Sequence, residues 1–265
     1  MDAKGSSQRL KDRRALITGA GRGIGRAIAV RFAQEGADLF LCATRLETLQ
    51  ETRRLASGAG RKVELYPLDI ADRDAVEKMV ERAIAALGGI DILVNNAGVY
   101  KPSRFVDYSY EDFDRIMKVN IYGPFVLTQL VLRHMLERKK GKVVNIASTA
   151  GKWASMNQSA YNISKHGLVA LTRCAGLEMA PHGITVNAIC PGLVETDMKS
   201  VFGEGHGRIM GVTPQEALEW VTQRVPMRRW LQPEEIASLA VYLASEESDG
   251  MTGQSILLDG GMLYV

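Results

Sequence analysis

Cysteine is scarce in this chain: Cys42, Cys174 and Cys190 are the only three in 265 residues. An odd count without Cys-x-x-Cys spacing excludes a disulfide framework and a thiolate zinc site. All three lie in apolar contexts, which reads as buried free thiols in a reducing compartment, the cytoplasm. The four histidines (His134, His166, His182, His206) are scattered without ligand spacing, so no metal centre is expected. Long hydrophobic runs are missing too. None approaches the ~18 residues of a membrane span, so no membrane partner is expected. Met1 to Arg14 is polar and charged, without the apolar stretch of a secretory leader. Charge of one sign does not dominate: 33 Lys+Arg against 30 Asp+Glu leave a net +3. With no basic block or aromatic-interleaved basic stripe, nucleic acid is excluded as an expected partner. The run Arg138-Lys139-Lys140 reads as a solvated helix end.

What is present is a regular alternation of short apolar runs and amphipathic stretches. Strands are expected at Ala15–Ile17, Leu39–Cys42, Val63–Leu68, Ile90–Val94, Lys142–Ile146, Ile184–Ile189 and Ser255–Leu258. Helices are expected at Ile24–Gln34, Leu46–Ala56, Arg73–Leu87, Ser159–Met179 and Pro233–Leu243, with a long one over Tyr110–Arg138 kinked near Gly123-Pro124. Apolar strands alternating with helices predict an α/β doubly wound fold, a seven-stranded parallel sheet covered on both faces. No linker divides the chain, so one domain is expected over 1–265, with 1–12 a flexible tail. The region 196–229 is the longest irregular stretch, with some helical pattern over Pro214–Val225, and reads as a substrate lid.

Tyr161 and Lys165 lie four residues apart and share a face of any helix that carries them. An unperturbed phenol ionises near pH ~10. A fixed ammonium beside it favours the phenolate and lowers that value toward a working range. Upstream, Ser148 follows an apolar run. Thr18-Gly19-Ala20-Gly21-Arg22-Gly23-Ile24-Gly25 joins the first strand to the first helix, where a dinucleotide's pyrophosphate meets a helix N-terminus. The spacing is Gly-x-x-x-Gly-x-Gly rather than Gly-x-Gly-x-x-Gly. A tight turn needing glycine would look the same. At the end of the second strand, an NAD binder usually carries Asp or Glu for the ribose 2′-hydroxyl. Here stand Ala43-Thr44-Arg45. A guanidinium grips a 2′-phosphate that a carboxylate would repel, and Arg22 adds a second cation. The expected cofactor is NADP(H). The alternative is NAD(H), with Arg45 a solvated helix-start residue and Glu47 serving the ribose.

The glycine spacing, Asn95-Asn96-Ala97-Gly98, Asn120, Ser148, Tyr161, Lys165 and Pro191-Gly192 together resemble the short-chain dehydrogenase/reductase family. The resemblance runs from Ala15 to Gly261 in the family's order and spacing. It implies a Rossmann fold and hydride transfer between a nicotinamide and a carbonyl or secondary alcohol. It implies that Tyr161 handles the proton and that Ser148 hydrogen-bonds the same oxygen. Lys165 would hold the nicotinamide ribose and lower the Tyr161 pKa, and Asn120 would hold a water behind Lys165. For the cofactor it implies Gly19, Arg22, Gly23, Ile24 and Gly25 at the pyrophosphate, Thr44 and Arg45 at the adenosine 2′ end, and Asp69 with Ile70 at the adenine. Asn96, Ala97 and Gly98 would line the adenosine ribose. Ile189, Pro191, Gly192, Val194 and Thr196 would meet the carboxamide. Structural alternatives stand beside these: Ser148 capping a loop, Asn120 satisfying backbone at a helix irregularity, Asp69 or Thr196 capping a turn.

Trp153, Met156, Met198, Phe202 and Met210 read as pocket walls, and His166 as a packing or capping residue. Segments around Lys165–Val169 and Gly183–Ala188 resemble ketoreductases of acyl-carrier-bound or polyketide β-ketones. Met251 to Gly261 resembles small-diol and acetoin dehydrogenases. The expected activity is an NADP(H)-dependent ketoreductase acting on a small carbonyl or alcohol substrate, acyl-carrier- or CoA-linked ones included. The alternatives are an NAD(H)-dependent small-diol, sugar or cyclic-alcohol dehydrogenase and a non-catalytic dinucleotide sensor. The resemblance also implies a homotetramer with two-fold axes.

Overall fold

The computed structural model describes residues 8–264. Seven parallel strands form one sheet: β1 (Arg14–Thr18), β2 (Asp38–Ala43), β3 (Val63–Pro67), β4 (Ile92–Asn95), β5 (Gly141–Ile146), β6 (Ile184–Pro191) and β7 (Ser255–Leu258). Their order is β3-β2-β1-β4-β5-β6-β7, so the winding reverses between β1 and β4. This is the expected doubly wound architecture, in which the crevice at the reversal collects ligands. Alternating side chains of each strand feed opposite cores. Leu16, Phe40, Leu93 and Val143 face α3 (Arg73–Leu87) and α5 (Gly123–Arg138). Ile17, Leu41, Val94 and Val144 face α1 (Gly23–Gln34), α2 (Leu46–Ala56) and α9 (Pro233–Ala244). Burial on both faces is why these strands read as unbroken apolar runs.

Among the buried polar residues, one set links the two central strands. Asn95 and Asn145 stand opposite each other in the β4–β5 register. Asn95 Nδ2 donates to Asn145 Oδ1 at 2.8 Å and to Thr128 Oγ1 at 2.9 Å, and Asn145 Nδ2 donates to Thr172 Oγ1 at 2.8 Å. Thr128 is on α5, and Thr172 on α6 (Ser159–Met179). The set therefore ties the two central strands to α5 and α6.

The long helix breaks where expected, just ahead of Gly123-Pro124. Between α4 (Tyr110–Met117) and α5, Lys118–Tyr122 forms a π-helical turn. Pro124 has no N–H to give the Asn120 carbonyl and its ring crowds that oxygen, so the turn widens. The Gly123 N–H instead reaches back to the Lys118 carbonyl. Three other expectations need correction. First, most of 196–229 is helical: α7 (Met198–Met210) and α8 (Pro214–Thr222). The glycines of α7 hide it from propensity, each less favourable than Ala by about 1 kcal/mol. Two of them let the neighbouring chain approach: a Cβ on Gly203 would meet Leu218 at 3.1 Å, and one on Gly207 the Val212 carbonyl at 2.9 Å. Second, the tail expected over 1–12 falls partly on residues 1–7, outside the described residues. Residues 8–12 pack on the body, with Leu10 fully buried and Arg9 paired with Glu35 at 2.8 Å. Third, of the thiols, Cys42 and Cys190 are buried but Cys174 is exposed.

Candidate active site

The carboxyl ends of β1, β2, β4, β5 and β6 open on one cavity of about 860 Å³, roofed by α7 and α8. The glycine turn after β1 forms its floor. Gly25 packs so tightly beneath the turn that a Cβ there would come within 2.3 Å of the Gly19 carbonyl. Only glycine permits that approach, which aims the start of α1 into the cavity. Arg22 precedes α1 without a side-chain cap, leaving first-turn N–H groups for an anion. The Asn96 side chain fastens the turn from behind, donating to the carbonyls of Thr18 at 3.0 Å and Gly19 at 3.1 Å. Thr18 Oγ1 accepts from the Asn96 and Ala97 N–H groups. Asn96 thus braces the loop, a role its expected place along a ribose did not include.

Ser148 follows β5 and caps the short turn Thr149–Gly151, accepting from the Ala150 N–H at 3.1 Å. That turn lies directly on α6: a Cβ on Gly151 would meet the Lys165 carbonyl at 2.6 Å. The close approach sets the Ser148 hydroxyl where it favours the Tyr161 phenolate. Lys165, one helical turn on, is buried and donates from Nζ to the Ile146 carbonyl at 2.8 Å. Its Nζ lies 5.6 Å from the Tyr161 ring centre. The expectation that this ammonium lowers the phenol's pKa is overturned by burial. Burial pushes Tyr161 up to about 12 against the pull of Ser148, and draws Lys165 down to about 8. Asn120 sits in the π turn, fully buried. Its Oδ1 accepts from the Val99 N–H at 2.8 Å, and its Nδ2 donates to the Val99 carbonyl at 2.9 Å and Ser164 Oγ at 3.1 Å. The side chain satisfies backbone at a helix irregularity and props up the segment behind Lys165.

Sequence reasoning missed a polar-aromatic wall beside Tyr161. Tyr100 meets the Tyr161 ring edge-on at 5.0 Å. Its hydroxyl donates to Gln158 Oε1 at 3.0 Å and lies 2.7 Å from His206 Nε2. With its hydrogen given to Gln158, the hydroxyl accepts from an Nε2–H tautomer of His206, an assignment from the bonding pattern. Phe202 stacks on His206 at 4.1 Å. Burial pushes the Tyr100 phenol up and pulls the His206 imidazole down, so both stay neutral. His206 reads only as one of four scattered histidines because nothing in the sequence shows that α7 folds over Tyr100.

At the end of β2, Arg45 is exposed, and its guanidinium has no partner among the described residues. Arg22 lines the cavity and pairs with Asp197 at 2.6 Å, across the cavity at the start of the lid. Asp69 accepts from the Ala71 N–H at 3.0 Å and pairs with Arg115 at 2.7 Å. Burial would raise its carboxyl, but Arg115 and Ala71 hold it below the usual range. Thr196 lies one residue before the Asp197 cap of α7, its methyl against Gly23. The expected residues Gly19, Gly23, Ile24, Thr44, Ile70, Ala97, Gly98, Pro191, Gly192 and Val194 also line the cavity, as do Trp153, Met156, Met198 and Met210. Gly25, Asn120 and Ile189 stand behind its wall.

A family model described as enoyl-(acyl carrier protein) reductase matches residues 19–263. The 3-oxoacyl-(acyl-carrier-protein) reductase FabG of Thermotoga maritima is 37% identical over 255 residues, covering 96% of this chain and 99% of that one. Among solved structures, the actinorhodin polyketide ketoreductase with NADPH is similar at TM-score 0.91 and 37% identity, over 97% of this chain and 98% of that one. NAD⁺-bound xylitol dehydrogenase is similar at TM-score 0.90 and 32% identity, over 95% and 99%. With relatives matching nearly end to end and the Ser148–Tyr161–Lys165 cluster on the cavity wall, the chain belongs to the short-chain dehydrogenase/reductase family of oxidoreductases, acting on carbonyl or alcohol groups.

Proposed function

We propose that this oxidoreductase is an NADP(H)-dependent ketoreductase. One observation carries the reading: a single cavity joins the unpartnered Arg45 guanidinium to the Ser148–Tyr161 pair. The glycine turn, the uncapped start of α1 and Arg45 would hold the cofactor, with Lys165 at its nicotinamide ribose. When bound, the cofactor supplies or accepts the hydride. The chain's own part is the proton. A phenol held at about 12 is protonated at neutral pH, the form that gives its proton to a carbonyl oxygen. Ser148 steadies charge developing on that oxygen. Asn120, behind Lys165, would place a water on the path that returns the proton. The same direction of reaction is named for FabG and the actinorhodin enzyme, both ketoreductases. The free thiols agree with a reducing compartment such as the cytoplasm.

Arg22 is engaged by Asp197, so Arg45 carries the cofactor preference. A charge-assisted bond to phosphate contributes roughly 1.5–3 kcal/mol, about ten- to hundredfold in affinity. Screening at this exposed position trims it. Arg45→Ala is expected to weaken NADPH binding about tenfold while barely moving NADH. Thr44→Asp should go further, repelling the phosphate and adding an acceptor for a ribose hydroxyl. Titrating both cofactors against wild type and the two variants decides it, and equal wild-type affinity for NADH and NADPH would remove the preference.

We also infer a homotetramer. Tyr110 on α4, Tyr122 at the end of the π turn, Phe125 on α5 and Ile163 on α6 are large exposed apolar side chains. Two-fold pairing would bury them. Light scattering should give four times the 29.0 kDa chain mass, and a monomer would refute the reading.

A further inference from the structure

Most charges on the cavity wall are already answered. Arg22 pairs with Asp197, Arg115 with Asp69, and Lys199 with Glu195. Among the described residues, two guanidiniums on the wall have neither a carboxylate partner nor a side-chain hydrogen bond: Arg45 at the end of β2, and Arg224 at the lid. Arg224 follows α8 and is held by rings. Its guanidinium carbon lies 5.0 Å from the Trp220 ring centre and 5.8 Å from that of Trp153. Trp153 belongs to the segment after Ser148, and its carbonyl accepts from Asn162 Nδ2 at 3.1 Å, beside Tyr161. The cation is thus clipped to the segment that places the reacting groups. Lys199 makes the useful contrast: it lies 4.8 Å from the Trp230 ring centre, but Glu195 neutralises it. A guanidinium seated on aromatic rings keeps its planar fork of donors for a bidentate oxyanion.

We infer that Arg224 is a specificity residue for an oxyanion carried by the substrate, a carboxylate or a phosphate at the end away from the reacting carbonyl. The inference rests on the ketoreductase reading of the same cavity. Trp153, Met156, Met210 and Trp220 give the cavity that Arg224 and Tyr161 share an apolar wall. The preferred substrates are therefore carbonyl compounds with an apolar body and an anionic terminus. Because Arg224 is exposed, the gain over a neutral analogue is about tenfold, the low end for hydrogen bonds to a charged group after screening.

The chain's three tryptophans, Trp153, Trp220 and Trp230, all line this cavity, so selectively excited tryptophan emission reports on it. Octanoate, octyl phosphate and octanol are titrated into wild type, Arg224→Gln and Arg224→Lys. Wild type should bind one or both anions about tenfold tighter than octanol, less so as salt is raised. Arg224→Gln should bring anions and octanol to near parity, and Arg224→Lys should keep part of the gap. A preference for octanoate names carboxylate substrates, one for octyl phosphate names phosphate-bearing ones, and equal affinity leaves the shared oxyanion. No anion preference in wild type, or equal losses for octanol and the anions in Arg224→Gln, would overturn the inference and leave Arg224 a structural clip. Rates on keto acids against their methyl esters, measured separately, test the ketoreductase reading. Anion-selective fluorescence without reduction of either would sink that reading and spare the anion site.

Discussion

Tyr161→Phe is expected to lower carbonyl reduction by about 10²–10⁴, the usual weight of a positioned general acid. The variant removes one hydroxyl and little else. The ring keeps its edge contact with Tyr100, Ser148 keeps its bond from the Ala150 N–H, and Lys165 keeps the Ile146 carbonyl. Cofactor affinity should therefore survive, because the glycine turn and Arg45 are untouched. The pH profile adds a second reading. With the phenol held at about 12, wild-type reduction should be flat across neutral pH. The reverse oxidation should climb with pH, since accepting a proton needs the phenolate. In Tyr161→Phe that contrast should disappear. Initial rates in both directions across pH check this. A variant with half the wild-type rate would remove Tyr161 from the chemistry.

Lys165→Met should damage both cofactor binding and rate without damaging the fold. Among the described residues Lys165 is the one buried lysine, and burial lowers it from 10.5 to about 8. A lowered ammonium pKa means that the folded chain binds fewer protons than the unfolded chain between those values. The burial penalty is thus full below about pH 8 and is relieved as pH rises through that window. Methionine fills similar space without the charge, so Lys165→Met should unfold no more easily at neutral pH and should lose the rise in stability at alkaline pH. Thermal unfolding against pH measures this. A large rise in the cofactor Kd with a fallen kcat would then be functional rather than structural. Unchanged cofactor affinity would rule out a ribose contact.

Where one residue's identity decides its place, the sequence was readable. β1 and β4 are buried on both sides, so Ala15–Ile17 and Ile92–Val94 are unbroken apolar runs, and Gly25 must be glycine because the Gly19 carbonyl leaves no room. Legibility failed where two distant segments decide together. α7 is helical because α8 packs on its glycines, an arrangement that propensity opposes. The Arg22–Asp197 pair was hidden because its members are 175 residues apart in sequence. His206 and Tyr100 carry no motif, and only the folded lid makes them neighbours. The Tyr161 pKa failed for another reason. Spacing showed that a cation was near, but the sign depends on how much solvent the phenol loses.

The paired amides of Asn95 and Asn145 bear on how the molecule assembles. In a sheet of uniformly apolar strands, β5 sliding two residues along β4 would still turn greasy faces inward, so hydrophobicity alone tolerates the error. The slip would leave buried amides facing aliphatic neighbours, at roughly 1–3 kcal/mol for each unsatisfied group. The ladder therefore acts as a checkpoint on strand alignment, biasing a half-formed sheet away from its nearest wrong partner. Asn96 begins where β4 ends, and Ser148 lies just past β5. Proofreading of that one pairing sets the alignment of the nucleotide loop's brace with the reacting hydroxyl before either has a ligand to guide it.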